Sequence, residues 1–136
     1  MKSYKGSCLC KQVKFELTGE ISSIIHCHCS KCRKSSGTAY ATNGFINRSD
    51  LTITEGKQLI SFYEMSPGKK RHFCQVCASP LYSSNASDTN RLRLRLGALD
   101  TAISERPISH NFVSSKADWD TVESSLPCYD AHEPSR

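Results

Sequence analysis

The stretch Arg91-Leu92-Arg93-Leu94-Arg95-Leu96 alternates arginine with leucine over six positions. Successive side chains of a β-strand point to opposite faces, so the leucines would share one face and the arginines the other. This pattern predicts a strand whose leucine face packs against a core. The arginine face has two interpretations, a solvated sheet surface or a set of anion-binding cations.

Shorter segments on either side continue the β pattern. In Lys11–Leu17 apolar residues alternate with charged ones, which predicts a half-buried strand. Weaker strand candidates are residues 59–63, 71–74, 80–83 and 108–113. The one helical prediction is a short turn over Ser30–Ser36, with Ser30 as its N-cap and Gly37 at its end. The chain is therefore predicted to be mainly β.

Length and composition limit the class of protein. The 136 residues suit a single domain spanning 1–136, with a polar and loose tail from about residue 131. No apolar run long enough for a signal peptide or a membrane span occurs, which predicts a soluble, cytoplasmic protein with no membrane partner. A hydrophobic share of 38% is modest, so bound metal would help to stabilise the core.

The formal net charge of +5 is mild and discriminates poorly between anionic metabolites and nucleic acid as partners. Basic residues concentrate in three groups, which are Lys31, Arg33 and Lys34, then Lys69, Lys70 and Arg71, then Arg91, Arg93 and Arg95. Aromatic residues that would stack on bases do not interleave with the last group, so nucleic acid is the less favoured partner. Basic side chains near a metal site can also offset the charge of its thiolates.

Seven of the eight cysteines fall into three groups, Cys8-x-Cys10, Cys27-x-Cys29-x-x-Cys32 and Cys74-x-x-Cys77. A closed structural zinc site uses four protein ligands, whereas a site that must accept water or substrate uses three. Seven thiolates therefore predict two Zn²⁺ ions per chain, one enclosed and one with an open position. Disulfides and a thioredoxin-like redox pair are weaker alternatives in a reducing compartment, and Pro80 opposes a helix after Cys77. The isolated Cys128 is predicted to be a partly buried or free thiol and not a metal ligand.

Spacing alone leaves the grouping of these cysteines open. Cys8 and Cys10 lie two residues apart, so both sulfurs can face one ion beside the pair Cys74 and Cys77. A ribbon-like arrangement would instead join the first two groups and leave Cys32, Cys74 and Cys77 as the open site. In an extended segment His26 and His28 would point away from Cys27 and Cys29, although a histidine that folds back would close a three-cysteine site.

The motifs, taken in order, resemble the glutathione-dependent formaldehyde-activating enzyme family, whose domain is shared with centromere protein V. The resemblance covers roughly residues 3 to 130. The segments that carry it are Gly6–Cys10, His26–Lys34, Phe73–Cys77 followed by Ser79–Tyr82, and Ser114–Trp119. Two positions depart from the family, because Lys11 and Ala78 stand where glycine is usual. If those positions need a positive φ, each departure would cost about 1 kcal/mol.

The resemblance implies an all-β, Mss4-like fold of short antiparallel sheets held together by zinc. It implies a structural zinc on Cys8, Cys10, Cys74 and Cys77, and a catalytic zinc on Cys27, Cys29 and Cys32. The implied activity is that of a carbon–sulfur lyase, or S-(hydroxymethyl)glutathione synthase, acting on the adduct of a glutathione-like thiol and an aldehyde.

Two further expectations concern how such an enzyme would work. His28 is a candidate either for proton transfer or for a hydrogen-bonded structural role. The candidates to bind the substrate carboxylates are the basic residues Lys31, Arg33, Lys34, Arg91, Arg93 and Arg95. The alternative to an enzyme is a non-catalytic, zinc-stabilised binding module, for example for nucleic acid.

Overall fold

The computed structural model describes residues 2–136, and within them ten strands and one α-helix form. In chain order they are β1 Ser3–Ser7, β2 Lys14–Thr18, β3 Ser22–Cys27, α1 Ser30–Ser36, β4 Ala41–Asn47, β5 Leu51–Glu55, β6 Ile60–Ser66, β7 Lys69–Cys74, β8 Pro80–Asn85, β9 Arg91–Arg95 and β10 Ser109–Asn111. The all-β prediction is confirmed. No helix in this part of the chain has the length and apolar character needed to cross a membrane.

Two sheets make up the fold. The smaller sheet has the order β1-β2-β5, and the larger has the order β10-β3-β4-β9-β8-β7-β6. Neighbouring strands are antiparallel except β10, which pairs parallel to β3. The alternating strand β9 lies inside the larger sheet, between β4 and β8, and its Leu92 and Leu94 are buried as predicted.

Most of the predicted elements appear with small shifts of their ends. The strand expected over Lys11–Leu17 begins at Lys14, and Val13 just before it is fully buried. The four weaker candidates correspond to β6, β7, β8 and β10. Strands β1, β3, β4 and β5 were not predicted, because their apolar residues do not alternate over enough positions.

The hydrophobic core contains cysteines from all three groups of the sequence. A large cluster of aliphatic and aromatic side chains between the sheets includes Cys8 and Cys74. A second, smaller cluster includes Cys27 and Cys32 together with Ile25. Each cysteine group is thus anchored by apolar packing, which fixes the sulfur positions better than mobile loops would.

The chain follows the same course after the second cysteine of two groups. Lys11 has a φ of 65° and Ala78 a φ of 64°, so both lie in the left-handed region that favours glycine. The Lys11 N–H donates to the Cys8 carbonyl at 3.0 Å, and the Ala78 N–H donates to the Cys74 carbonyl at 2.7 Å. Each turn folds a pair of cysteines back toward the other pair. The positive φ expected at the two family departures is therefore present.

Glycine at either position should stabilise the protein. The left-handed region destabilises a non-glycine residue by about 1 kcal/mol or more, and glycine removes this strain. Part of the gain is lost because glycine also raises the conformational entropy of the unfolded chain. We expect Lys11→Gly and Ala78→Gly each to raise the free energy of unfolding by about 0.5 kcal/mol, as measured by urea denaturation. Lys14→Gly, in strand β2, is the matched control and should lower it by about 1 kcal/mol. A loss of stability at Lys11 equal to that at Lys14 would contradict this account of the turns.

The polar segment after residue 131, predicted to be loose, makes specific contacts with the body of the protein. Glu133 is only 3% exposed, accepts a hydrogen bond from Asn111 Nδ2 at 3.2 Å and pairs with Arg136 Nε at 2.8 Å. The His132 ring packs edge-on against Phe112, with ring centroids 5.0 Å apart. A buried amide on β10 and an aromatic ring thus give the polar tail specific partners.

Candidate metal and active site

Four sulfur atoms meet between the β1–β2 and β7–β8 connections. The Sγ atoms of Cys8, Cys10, Cys74 and Cys77 all lie within 4.8 Å of one another. Cys8 Sγ is 3.5 Å from Cys10 Sγ, which in turn is 3.8 Å from Cys74 Sγ. Zinc–sulfur bonds of about 2.3 Å in a tetrahedron place neighbouring sulfurs roughly 3.8 Å apart. The four-cysteine cluster therefore fits a tetrahedral metal ion with no position left over.

Neutral donors surround the four-cysteine cluster. The Val13 N–H donates to Cys8 Sγ at 3.3 Å. Ser79 Oγ accepts the Leu9 N–H at 2.8 Å and lies 3.2 Å from Cys77 Sγ, so its own proton is free to point at that sulfur. This hydrogen bond lowers the pKa of Cys77 to about 5. Ser79 thus links the two cysteine turns and favours a thiolate in one of them.

Three more sulfurs meet where β3 passes into α1. The Sγ atoms of Cys27, Cys29 and Cys32 lie within 4.8 Å of one another. Cys27 ends β3, while Cys32 belongs to the first turn of α1. The three-cysteine cluster can hold a metal ion through three thiolates, and such a set leaves a tetrahedral ion one open position.

Cys29 has a second, structural role at the start of α1. It is the N-cap residue, and its Sγ accepts the Cys32 N–H at 3.3 Å. The prediction that Ser30 caps this helix is wrong, because Ser30 is already inside the first turn and the cysteine before it occupies the capping position. The predicted helix limits and the left-handed C-cap at Gly37 are confirmed.

Protonation is unequal within the three-cysteine cluster. Hydrogen bonds from the sulfurs of Cys27 and then Cys32 lower the pKa of Cys29 to about 2, and backbone N–H donors of the helix contribute. The same contact with Cys29 raises the pKa of Cys27. Without a metal ion, Cys29 is therefore the sulfur most readily held as a thiolate, and a cation must displace protons from its neighbours.

The structure brings the cysteines together in groups of four and three. The grouping is the one implied by the family resemblance, and it differs from the ribbon-like alternative that would join Cys8 and Cys10 to Cys27 and Cys29. No histidine of residues 2–136 belongs to either cluster. Cys128 is a free, exposed cysteine outside both clusters, so of the two predicted states it has the free one.

The histidines beside the three-cysteine cluster form a separate buried group. His28 Nε2 lies 2.8 Å from His110 Nδ1, and His26 Nδ1 lies 2.8 Å from Thr42 Oγ1. The rings of His26, His28 and His110 pack around Tyr40 with centroids 4.5 to 5.9 Å apart. Burial lowers the pKa of His28 and of His110, which keeps both imidazoles neutral. His28 is fully buried and does not line the cysteine pocket, which favours the structural role of this histidine over proton transfer.

A pocket of about 400 Å³ opens beside the three-cysteine cluster. Its wall carries no aspartate or glutamate among the described residues but many cations. The cationic residues in the wall are Lys31, Lys69, Lys70, Arg71, Arg93 and Arg136. Of the predicted carboxylate-binding candidates, Lys31 and Arg93 are in the wall. The other four, Arg33, Lys34, Arg91 and Arg95, are not. The pocket is therefore suited to an anionic small molecule.

The arginine face of β9 is solvated only in part. Arg91 and Arg93 lie over the Phe45 ring, 4.0 and 4.9 Å from its centroid, and Arg136 lies 4.7 Å from it. Arg95 is buried. The solvated interpretation therefore holds in part for Arg91, whose side chain is 42% exposed, and fails for Arg95.

Several pocket residues had no signal in the sequence. Phe112 lines the pocket in a left-handed conformation with a φ of 58°, which is strained for a bulky side chain. Met65, His132 and Arg136 approach only through the fold of β6 and the C-terminal segment. Arg71 stood out only as part of a basic group, which did not indicate its distance from any cysteine.

The family model of the glutathione-dependent formaldehyde-activating enzyme matches residues 3–115, which include all seven clustered cysteines. The chain belongs to this family. The match ends before the C-terminal segment, so the wall residues His132 and Arg136 lie outside the matched part of this family member.

Known proteins agree with this assignment. A Halomonas elongata protein whose name places it in the same family is 31% identical over 129 residues, covering 88% of this chain and 81% of the relative. A Podospora anserina protein with the same family name is 30% identical over 77 residues, but the match covers only 36% of its length. A crystal structure of a Rhodobacter sphaeroides protein superposes with a TM-score of 0.61 at 24% identity, over 76% of this chain and 97% of the other, which shows a shared fold.

Proposed function

We propose that this family member is a zinc-dependent carbon–sulfur lyase that makes and breaks the adduct of a glutathione-like thiol with an aldehyde such as formaldehyde. The observation that carries the proposal is a cluster of three cysteines, and not four, that opens into a cation-lined pocket. An enclosed structural site would need four ligands and would leave no vacant position.

The two clusters would hold two zinc ions with different roles. Cys8, Cys10, Cys74 and Cys77 would bind a structural ion that joins β1 and β2 to β7 and β8. Cys27, Cys29 and Cys32 would bind the second ion, which when present supplies a position where a thiol is favoured as its thiolate near neutral pH. Thiolate donors in sets of four and three are the chemistry that zinc prefers.

The pocket wall supplies the recognition that a glutathione-like thiol needs. Such a peptide carries carboxylates, and arginine and lysine are their usual partners. Lys31 comes from α1, Lys69 and Lys70 from β7, and Arg93 from β9, so cations approach from three elements. Carboxylates bound there would leave the substrate sulfur near the three-cysteine cluster.

The proposed reaction is an addition and its reverse. The thiol sulfur forms a bond to the carbonyl carbon, the carbonyl π pair moves to oxygen, and the thiol proton ends on that oxygen. The reverse step breaks the carbon–sulfur bond and returns the proton to sulfur. No electron acceptor or donor is needed, which suits a site that holds thiolates and cations.

Exchange NMR spectroscopy tests this function despite the spontaneous background reaction. Glutathione and ¹³C-formaldehyde are mixed, and the exchange rate between free and adducted carbon is measured with and without the zinc-loaded protein. We expect faster exchange with the wild-type protein and only background exchange with Cys29→Ser. Equal rates for the two proteins, together with salt-dependent binding of nucleic acid, would favour the non-catalytic binding module instead.

A further inference from the structure

Arg95 is a buried cation without a carboxylate partner. Its residue is 7% exposed, and its Nη2 donates to Ser35 Oγ at 3.3 Å. No ion pair joins it to a carboxylate of residues 2–136, whereas Arg91 on the same strand pairs with Asp88 at 2.8 Å. A buried charge needs a compensating charge nearby, because removal from water is costly. Something other than a carboxylate must compensate Arg95.

A second guanidinium meets the same hydroxyl. Arg71 Nη1 donates to Ser35 Oγ at 3.0 Å, and Arg71 Nη2 lies 3.7 Å from Cys32 Sγ. Ser35 Oγ in turn donates its single proton to the Cys32 carbonyl at 3.2 Å. Toward the two guanidinium groups the hydroxyl therefore acts only as an acceptor. Helix α1 therefore holds Cys32 and both guanidinium groups in one fixed arrangement, which we name the Arg71–Ser35–Arg95 bridge.

The anion that offsets the bridge is the three-cysteine cluster. Burial and the charge of Arg71 lower the pKa of Arg95, while the thiolates of Cys32, Cys27 and Cys29 raise it. Two adjacent positive charges repel each other and persist in a protein interior only beside negative charge. The thiolates are the negative groups that face this pair.

The four-cysteine cluster has no such arrangement. Its donors are the Val13 N–H and the Ser79 hydroxyl, and within residues 2–136 no guanidinium or ammonium group donates to its sulfurs. Four thiolates on a divalent ion carry two net negative charges, and neutral donors suffice for that cluster. Cationic compensation is therefore a property of the open cluster and not a general need of thiolate sites.

The charges of the bridge and the open cluster do not balance until a further anion arrives. Three thiolates on a divalent ion leave one net negative charge, whereas two guanidiniums carry two positive charges. A substrate that enters the pocket as a thiolate supplies the missing negative charge. A neutral thiol would leave the excess positive charge in place.

We propose that Arg71 and Arg95 are positioning residues, fixed by Ser35, whose combined charge selects the thiolate form of the substrate at the three-cysteine cluster. The inference rests on the proposed function, since it assumes that a thiol enters this pocket. It assigns to the bridge a task separate from the binding of the substrate carboxylates. Loss of either charge should weaken thiolate uptake about tenfold and raise by about one unit the pH at which uptake is half complete.

The test uses 2-mercaptoethanol, a thiol without carboxylates, so that only the sulfur charge is probed. The protein is loaded with Co²⁺, which accepts the ligands of zinc and absorbs visible light, and the absorption change on thiol addition is titrated between pH 6 and 9. The variants are Arg95→Gln, Arg95→Lys, Arg71→Gln and Arg71→Lys. Arg91→Gln is the control on the same strand, because Arg91 pairs with Asp88 and does not donate to Ser35, whereas Arg95 does.

We expect about a tenfold loss of thiol affinity in each glutamine variant, recovery to within about threefold in the lysine variants, and no change in Arg91→Gln. Wild-type affinity in both glutamine variants would overturn the inference, and so would equal losses in the lysine and glutamine variants or no thiol uptake by the wild type. Arg71 is half-buried, so its variants provide a readout even if Arg95→Lys does not fold.

The exchange assay with glutathione and formaldehyde separates this inference from the proposed function. Charge-dependent uptake of thiol without faster exchange would support the bridge and refute the lyase. Faster exchange with charge-independent uptake would support the lyase and refute the role of the bridge.

Discussion

Cys74→Ser should leave the protein unfolded at room temperature. Cys74 is fully buried at the end of β7, inside the large core cluster and within the four-cysteine cluster. Structural zinc contributes roughly 10–16 kcal/mol to folding, while a whole domain is stable by about 5–15 kcal/mol. Loss of one ligand removes much of that binding energy, because a serine hydroxyl is a poor zinc ligand. Circular dichroism should show loss of the strand signal and of the cooperative thermal transition.

Cys128→Ser is the matched control for this prediction. It makes the same chemical change at a free and exposed cysteine, so its melting temperature should equal that of the wild type. A chelator should also unfold the wild-type protein, and added zinc should refold it. A Cys74→Ser protein that melts within a few degrees of the wild type would show that the four-cysteine cluster does not hold the fold.

Cys29→Ser should abolish activity and leave the fold intact. Cys29 belongs to the open three-cysteine cluster and also caps α1 through the Cys32 N–H. Serine is a good N-cap residue but a poor ligand for zinc, so this substitution separates the two roles. We expect the rate of adduct exchange to fall at least a hundredfold, since loss of a supporting contact alone costs tenfold to a hundredfold in many metal sites. Exchange NMR spectroscopy measures the rate.

Cys29→Ala tests the capping role on its own. Alanine supplies neither a ligand nor a cap, so it should be less stable than Cys29→Ser by about 1 kcal/mol in urea denaturation, at equal zinc content. Exchange in Cys29→Ser that stays above one-half of the wild-type rate would remove the three-cysteine cluster from the proposed mechanism. Unfolding of Cys29→Ser would instead make this cluster a second structural site.

Local physics explains why several parts of the fold could be predicted from the sequence. The alternation in β9 leaves the leucines no other buried arrangement, and Gly37 ends α1 because it tolerates the left-handed region. In each case residues close in sequence determine the conformation.

The parts that could not be predicted depend on contacts distant in sequence. β10 pairs parallel to β3, and this pairing places Asn111 beside Cys27 across more than eighty residues. Asn111 donates to Glu133, which pairs with Arg136 and holds it over the Phe45 ring beside the arginines of β9. No periodicity encodes such partners.

The candidate site also combines features set by nearby residues with features set by contacts distant in sequence. Which cysteines belong to a turn could be predicted from spacing, but which turns meet could not, and the residues alone left a ribbon-like grouping open. The role of Arg95 was hidden for the same reason. Its neighbours Arg71 and Ser35 lie on β7 and α1, far away in sequence, and bring it beside the thiolates.

Zinc content per chain, measured by elemental analysis together with titration of free thiols, tests most directly the claim that seven cysteines form one closed and one open metal site. The protein is first reconstituted with excess zinc, and the unbound metal is removed. We then expect about two zinc ions per chain and one readily titrated thiol, Cys128. A value that stays at one zinc per chain after reconstitution, with three or more additional reactive thiols, would contradict it.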